Sequence, residues 1–195
     1  MDILTKDDIV RGLRRLDRIA LESGMLIELS VYGGAALAIA FDVRNATRDV
    51  DAVVNGDPVF LRESAIKVAE EEGWPVDWLN DGVKGFISQN EAMVLMNDFK
   101  AAEEGGLRVF VPTPEYLFAM KCMAMRSGQD GSHDIEDIKS LAEIARITSH
   151  EAALNLIESF YPARVISAKT RFGVEEIMQQ IRDEKTTKIA VQKPN

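Results

Sequence analysis

Apolar residues near the start of the chain recur at helical spacing: Ile9, Leu13, Leu16 and Ala20 fall on one face, and Gly24 stops the pattern. Thr5, followed three residues later by Asp8, has the form of a capping box, so the spacing predicts an opening helix that ends at Gly24. The period then changes from helical to two. Ile27, Leu29 and Val31 alternate with Glu28, Ser30 and Tyr32, as in a strand with one wet face. Gly33-Gly34 ends that strand. Residues 35–41 are nearly all apolar and rich in strong helix formers, which predicts a short buried helix. After a polar bridge over residues 42–48, Asp49-Val50-Asp51-Ala52-Val53-Val54 reads as a second strand whose two carboxylates, at alternate positions, share one face.

Pro58 opens a further helix carrying Leu61, Ala65, Val68 and Ala69 and ending at Glu70-Glu71-Glu72-Gly73. Residues 76–79 are predicted as a third, short strand, and Asn80-Asp81-Gly82 as a turn. Two more strands are expected at 93–96 and 107–111, joined by the polar Glu103-Glu104-Gly105-Gly106 stretch. Past Pro112 and Pro114 the periodicity is helical throughout, over 115–127, 134–145, 150–160 and 174–185. Residues 186–195 have no apolar repeat and are expected to lack regular structure. The chain therefore reads as an N-terminal helix (1–24) packed on an α/β core (25–112), then a helical lobe (113–185) and a tail (186–195). Its class is α/β, of the α+β kind, with a small mixed sheet flanked by helices.

Composition narrows the function classes. With 195 residues, 46% hydrophobic and 28% charged, the chain supports one globular unit with two lobes. A formal net charge of −9 disfavours a broad surface that neutralises nucleic-acid phosphates, and leaves room only for a local basic pocket. The single cysteine, Cys122, can form no intramolecular disulfide and no cysteine-rich metal site, which fits a reducing cytoplasm. No basic segment followed by an apolar stretch opens the chain, and no uncharged apolar run approaches about 20 residues, so neither export nor a membrane partner is expected. His133 and His150 lack partners at zinc spacing, and the Cys122 neighbours suit a buried small hydrophobe. Trp74 and Trp78 are expected to buttress the carboxylate strand.

The chemistry concentrates in Val31-Tyr32-Gly33-Gly34-Ala35-Ala36-Leu37 and Arg48-Asp49-Val50-Asp51-Ala52-Val53. Glycines let a phosphate approach the backbone, and the start of the next helix offers unpaired N–H groups and a positive dipole end. Two carboxylates at i and i+2 on a strand can jointly hold Mg²⁺, a hard cation that takes few carboxylates and several water or phosphate oxygens. Together they would place a metal beside a triphosphate.

This arrangement resembles the signature of the nucleotidyltransferase superfamily, in which a Gly-Gly or Gly-Ser turn opens a short helix and a D-x-D strand follows. A second segment, Pro114-Glu115-Tyr116-Leu117-Phe118-Ala119-Met120-Lys121-Cys122-Met123-Ala124-Met125-Arg126 with His133-Asp134-Ile135-Glu136-Asp137-Ile138, is similar to the helical part of bacterial nucleotidyltransferase-like proteins related to abortive-infection and toxin–antitoxin toxins. The likeness spans roughly residues 25–180, and only these two clusters are specific. It implies the nucleotidyltransferase fold, with Mg²⁺, or Mn²⁺ in its place, on Asp49 and Asp51. It implies a nucleoside triphosphate held by Gly33, Gly34, Arg48, Lys121 and Asp134, with Asp137 adjacent. Lys121, in an otherwise apolar helix, either faces that site or snorkels to solvent.

The third carboxylate that often completes such sites is expected at Asp77, with Asp81 as its rival. The implied reaction moves a nucleoside monophosphate to a hydroxyl of RNA, protein or a small molecule, and the implied partner is a cognate antitoxin. The alternative is a catalytically silent nucleotide- or partner-binding module of the same fold.

Overall fold

The Thr5 hydroxyl accepts a hydrogen bond from the Asp8 N–H, and the Asp8 carboxylate accepts one from the Thr5 N–H, so the expected capping box is closed at the start of the first helix. In the computed structural model, which describes residues 3–101, 105–125 and 132–191, this capping residue also ends a two-residue strand, β1 (Leu4–Thr5), ahead of helix α1 (Lys6–Glu22). There follow β2 (Leu26–Val31), α2 (Gly33–Phe41), β3 (Ala46–Thr47), β4 (Val50–Asn55), α3 (Pro58–Glu72) and β5 (Leu79–Asn80). A 3-10 turn (Gly82–Phe86), β6 (Met93–Lys100) and β7 (Gly106–Pro112) complete the α/β part. Helices α4 (Pro114–Ala124), α5 (Ser132–Ile144), α6 (His150–Phe160) and α7 (Ala168–Val191) make up the rest. Glu103 and Glu104 of the expected connector, the last turn expected at 126–127, and 192–195 lie outside the described residues.

The chain divides into two compact units, Met1–Ile87 with Ala92–Thr113, and Ser88–Glu91 with Pro114–Asn195. The first holds a mixed five-stranded sheet in the order β5-β4-β2-β7-β6. β2 lies at its centre, antiparallel to β4 and parallel to β7, while β5 runs parallel to β4 and β6 antiparallel to β7. The alternation read from the sequence is realised within β2, where Ile27, Leu29 and Val31 are buried and Glu28 and Ser30 half-buried, but Tyr32, expected on the wet face, lies past the strand and is buried. Across the polar face Glu28 meets Asn55 on one side and Arg108 on the other, at 2.9 and 3.3 Å. Helix α2, apolar on every side, is buried from Ala35 to Ile39. Gly73 ends α3 with φ +71°, a left-handed cap that suits glycine.

Two differences from the sequence reading have physical causes. The third strand is not at 76–79 but at Leu79–Asn80. The Trp78 N–H donates to the Pro75 carbonyl and closes a turn, while the Trp78 indole N–H donates to the Ala65 carbonyl and carries the ring into the core. Its 1% exposure leaves no strand-like alternation at 76–78. Trp74 meets Trp78 edge-on at 5.2 Å, and α1 passes so close that a β-carbon on Gly12 would lie 2.8 Å from the Trp78 ring. The second difference is α7, which runs through the expected tail to Val191. The Thr186 and Thr187 hydroxyls donate to the carbonyls of Arg182 and Asp183, one turn back, and accompany the helix.

The second unit packs α4 against α5 and α6, with Tyr116, Leu117, Phe118 and Ala119 buried. Ser88–Glu91 belongs with these helices because of its hydrogen bonds. The Ser88 N–H donates to the Tyr116 hydroxyl, the Ser88 hydroxyl to the Phe160 carbonyl, and the Asn90 amide to the Ser159 carbonyl. Among the described residues no helix is long and apolar enough to cross a membrane.

Candidate functional site

The register of the central strands brings the glycine turn to the first carboxylate strand. Val31 pairs with Ala52, and the Tyr32 N–H then donates to the Asp51 carbonyl at 2.8 Å, which extends the ladder one step beyond β2. Gly33 follows at once and takes φ +61° as α2 begins. A β-carbon on Gly33 would lie 2.8 Å from Asp51 Oδ2, and one on Gly82 would lie 3.6 Å from Asp51 Oδ1. The Asp51 carboxylate thus sits in a slot walled by two glycines, and the close approach and the positive φ both require glycine at position 33. α2 starts without a side-chain cap.

Asp49 immediately precedes β4, and Val50 between the two acids is fully buried, its N–H held by the Trp78 carbonyl at 2.6 Å. That inward residue leaves Asp49 and Asp51 half-buried on the other side of the strand, as the i, i+2 spacing implies. Across the parallel ladder Asp51 pairs with Asn80. The Asn80 amide donates to Asp49 Oδ2 at 2.8 Å, and its Oδ1 accepts the Gly82 N–H at 2.9 Å, so both ends of the amide are engaged and its orientation is set. Asn80 holds Asp49 in place.

Sequence reasoning missed Asn80, treating it as part of a turn signal, and it missed Gly82 for the same reason. It also placed the third carboxylate at Asp77 or Asp81. Asp77 is exposed within the turn that precedes β5, and Asp81 is exposed and paired with Lys84 at 2.5 Å. The Lys84 hydrogen bond holds the Asp81 carboxyl below its ordinary range. The residue that stands beside the acids is an amide.

Gly34 has a different surrounding. A β-carbon there would lie 2.7 Å from Thr47 Oγ1 and 3.1 Å from Arg44 Nη1. The expected basic residue, Arg48, is exposed, and the guanidinium beside the glycine turn is that of Arg44. A signal was available in the bridge 42–48, which carries two arginines rather than one.

In the helical unit, Lys121 and Asp134 come together as a cluster with Asp137. Lys121 Nζ lies 2.8 Å from Asp137 Oδ2 and 3.4 Å from Asp134 Oδ1. The lysine side chain is 13% exposed and the Asp137 side chain 4%, so Lys121 ends in a carboxylate pair and does not snorkel. Cys122 is fully buried, and burial pushes its thiol above the ordinary range.

The oxygen-only donor set of Asp49 and Asp51 suits a hard divalent cation. Among the described residues no group of three His, Cys, Asp or Glu side chains is placed to hold a metal, so the remaining ligands of such an ion would be phosphate and water oxygens. The place of a β-carbon on Gly33 is taken by the Asp51 carboxylate itself. No family model, curated protein or solved structure matches this chain, so its chemistry is read from its own side chains.

Proposed function

We propose that this chain has the nucleotidyltransferase fold and binds a nucleoside triphosphate with Mg²⁺, or Mn²⁺ in its place, at Gly33, Gly34, Asp49 and Asp51. In this reading it transfers the nucleoside monophosphate to a hydroxyl acceptor. The observation that carries it is the seating of the Asp51 carboxylate against Gly33 at the uncapped start of α2, with Asp49 held two residues away by Asn80. Asp49 and Asp51 would hold the cation, which when bound would neutralise phosphate charge and orient the triphosphate. The first amides of α2 would receive phosphate oxygens. In the transfer the acceptor oxygen forms a bond to the α-phosphorus, the bond to the bridging oxygen breaks, and pyrophosphate leaves. The acceptor proton passes to water, because the Asn80 amide has no basic site. RNA, protein and small hydroxyl compounds are the acceptor classes, and the likeness to toxins adds a cognate antitoxin as partner in the cytoplasm.

A specific observation also favours a second reading, nucleotide binding without transfer. A positioned general base contributes about 10²- to 10⁴-fold to such reactions, and the position paired with Asp51 offers an amide. Triphosphate labelled at the α-phosphate, supplied with RNA, with protein and with small hydroxyl compounds, separates the two. Transfer predicts label on an acceptor and release of pyrophosphate, with a rate that rises in Asn80→Asp. Tight binding with no label transferred by either protein is the result expected of a silent module.

A further inference from the structure

We propose that Arg44 and Thr47 are the phosphate-recognising side chains of this site, holding the triphosphate against Gly34 while Asp49 and Asp51 hold the cation. This rests on the nucleotide reading above and assigns the residues that read the phosphates. The segment that carries them is tied down on two sides. β3 pairs with β1, placing Thr47 opposite Leu4 and Ala46 opposite Thr5. The Lys6 N–H donates to the Asn45 carbonyl at 3.3 Å, the Lys6 ammonium meets Asp42 at 2.5 Å, and the Val43 N–H returns to the Leu37 carbonyl of α2. Residues 44–47 are thereby held alongside the start of α2.

The chemistry at that corner is specific. Thr47 is 8% exposed, and its Oγ1 lies 2.7 Å from where a Gly34 β-carbon would be. A hydroxyl at that place can donate a hydrogen bond to a phosphate oxygen. Arg44 Nη1 reaches the same Gly34 from the other direction, at 3.1 Å from that β-carbon position. A guanidinium presents a planar fork that matches phosphate, whereas the two carboxylates nearby would repel a phosphate unless a cation and a second positive group offset them. In a chain of net charge −9, that second positive group has to be local.

The probes are tripolyphosphate and the four nucleoside triphosphates, each with Mg²⁺, titrated into the full chain and into Arg44→Gln, Arg44→Lys and Thr47→Val, with thermal melts alongside. Arg44→Gln is expected to weaken both kinds of probe by roughly 10- to 150-fold, and Thr47→Val by roughly 2- to 10-fold. Binding of Mg²⁺ alone should be undiminished in all three. Arg44→Lys should recover part of the loss, since an ammonium restores charge but not the fork. Wild-type affinity for both probes in Arg44→Gln and Thr47→Val overturns the assignment and leaves the nucleotide reading standing. Should Arg44→Gln fail to fold, Arg44→Lys and Thr47→Val decide the matter by the same comparison. No binding of either probe by the wild-type chain overturns the assignment and the nucleotide reading together.

Discussion

Asp51→Asn is expected to lower Mg²⁺-dependent triphosphate affinity by about 100-fold or more, equivalent to about 2.8 kcal/mol, while moving the melting temperature by only a few degrees. The two effects separate because of where the carboxylate sits. Asp51 lies in a slot between Gly33 and Gly82 that asparagine fits without change of shape, so packing is kept. What is lost is negative charge, which a divalent cation needs. Isothermal titration with and without Mg²⁺, paired with thermal melts, measures both. A large loss of stability with unchanged affinity would assign Asp51 a structural role.

Gly33→Ala should be the most damaging change of a single carbon in the site. A residue with a β-carbon at φ +61° costs about 1–2 kcal/mol in backbone strain, which for a chain of this length lowers the melting temperature by roughly 2–8 °C. The added carbon would also stand 2.8 Å from Asp51 Oδ2 and so displace the carboxylate. Loss of stability and loss of Mg²⁺-dependent binding are therefore expected together. Gly24→Ala is the control: it shares the positive φ, at +62°, but has nothing within 4 Å of its β-carbon position, and it should lose stability alone. Equal triphosphate affinity in Gly33→Ala and wild type would show that the slot is unrelated to binding.

Much of the α/β part was legible because local patterns there agree with the fold. The capping box at Thr5, the alternation at 27–31, the apolar run after Gly33-Gly34 and the paired acids each use a period or a cap that needs no distant partner. What escaped depends on long-range pairing. β3 has two residues and pairs only with β1, so nothing local marked Thr47 as a neighbour of Gly34 or told Arg44 from Arg48. β5 is equally short, and it was displaced from 76–79 by the burial of Trp78, a side chain whose partner carbonyl lies in α3. Asn80 looked like turn punctuation because Asn-Gly-rich stretches normally are. α7 begins at Ala168, ahead of the expected start at 174, and Gly173 lies within it. A β-carbon there would come 2.1 Å from Met125 Cε, so the glycine serves close helix contact rather than termination.

Titration of ATP, CTP, GTP and UTP into the wild-type chain, with Mg²⁺ and then with the cation removed by chelator, tests the proposed site most directly. Saturable one-to-one binding of at least one triphosphate in Mg²⁺, abolished by chelation and by Asp51→Asn, is the predicted result. Absence of binding for all four in the presence of Mg²⁺, or binding indifferent to both the cation and Asp51, would contradict a metal–nucleotide site on Gly33, Gly34, Asp49 and Asp51.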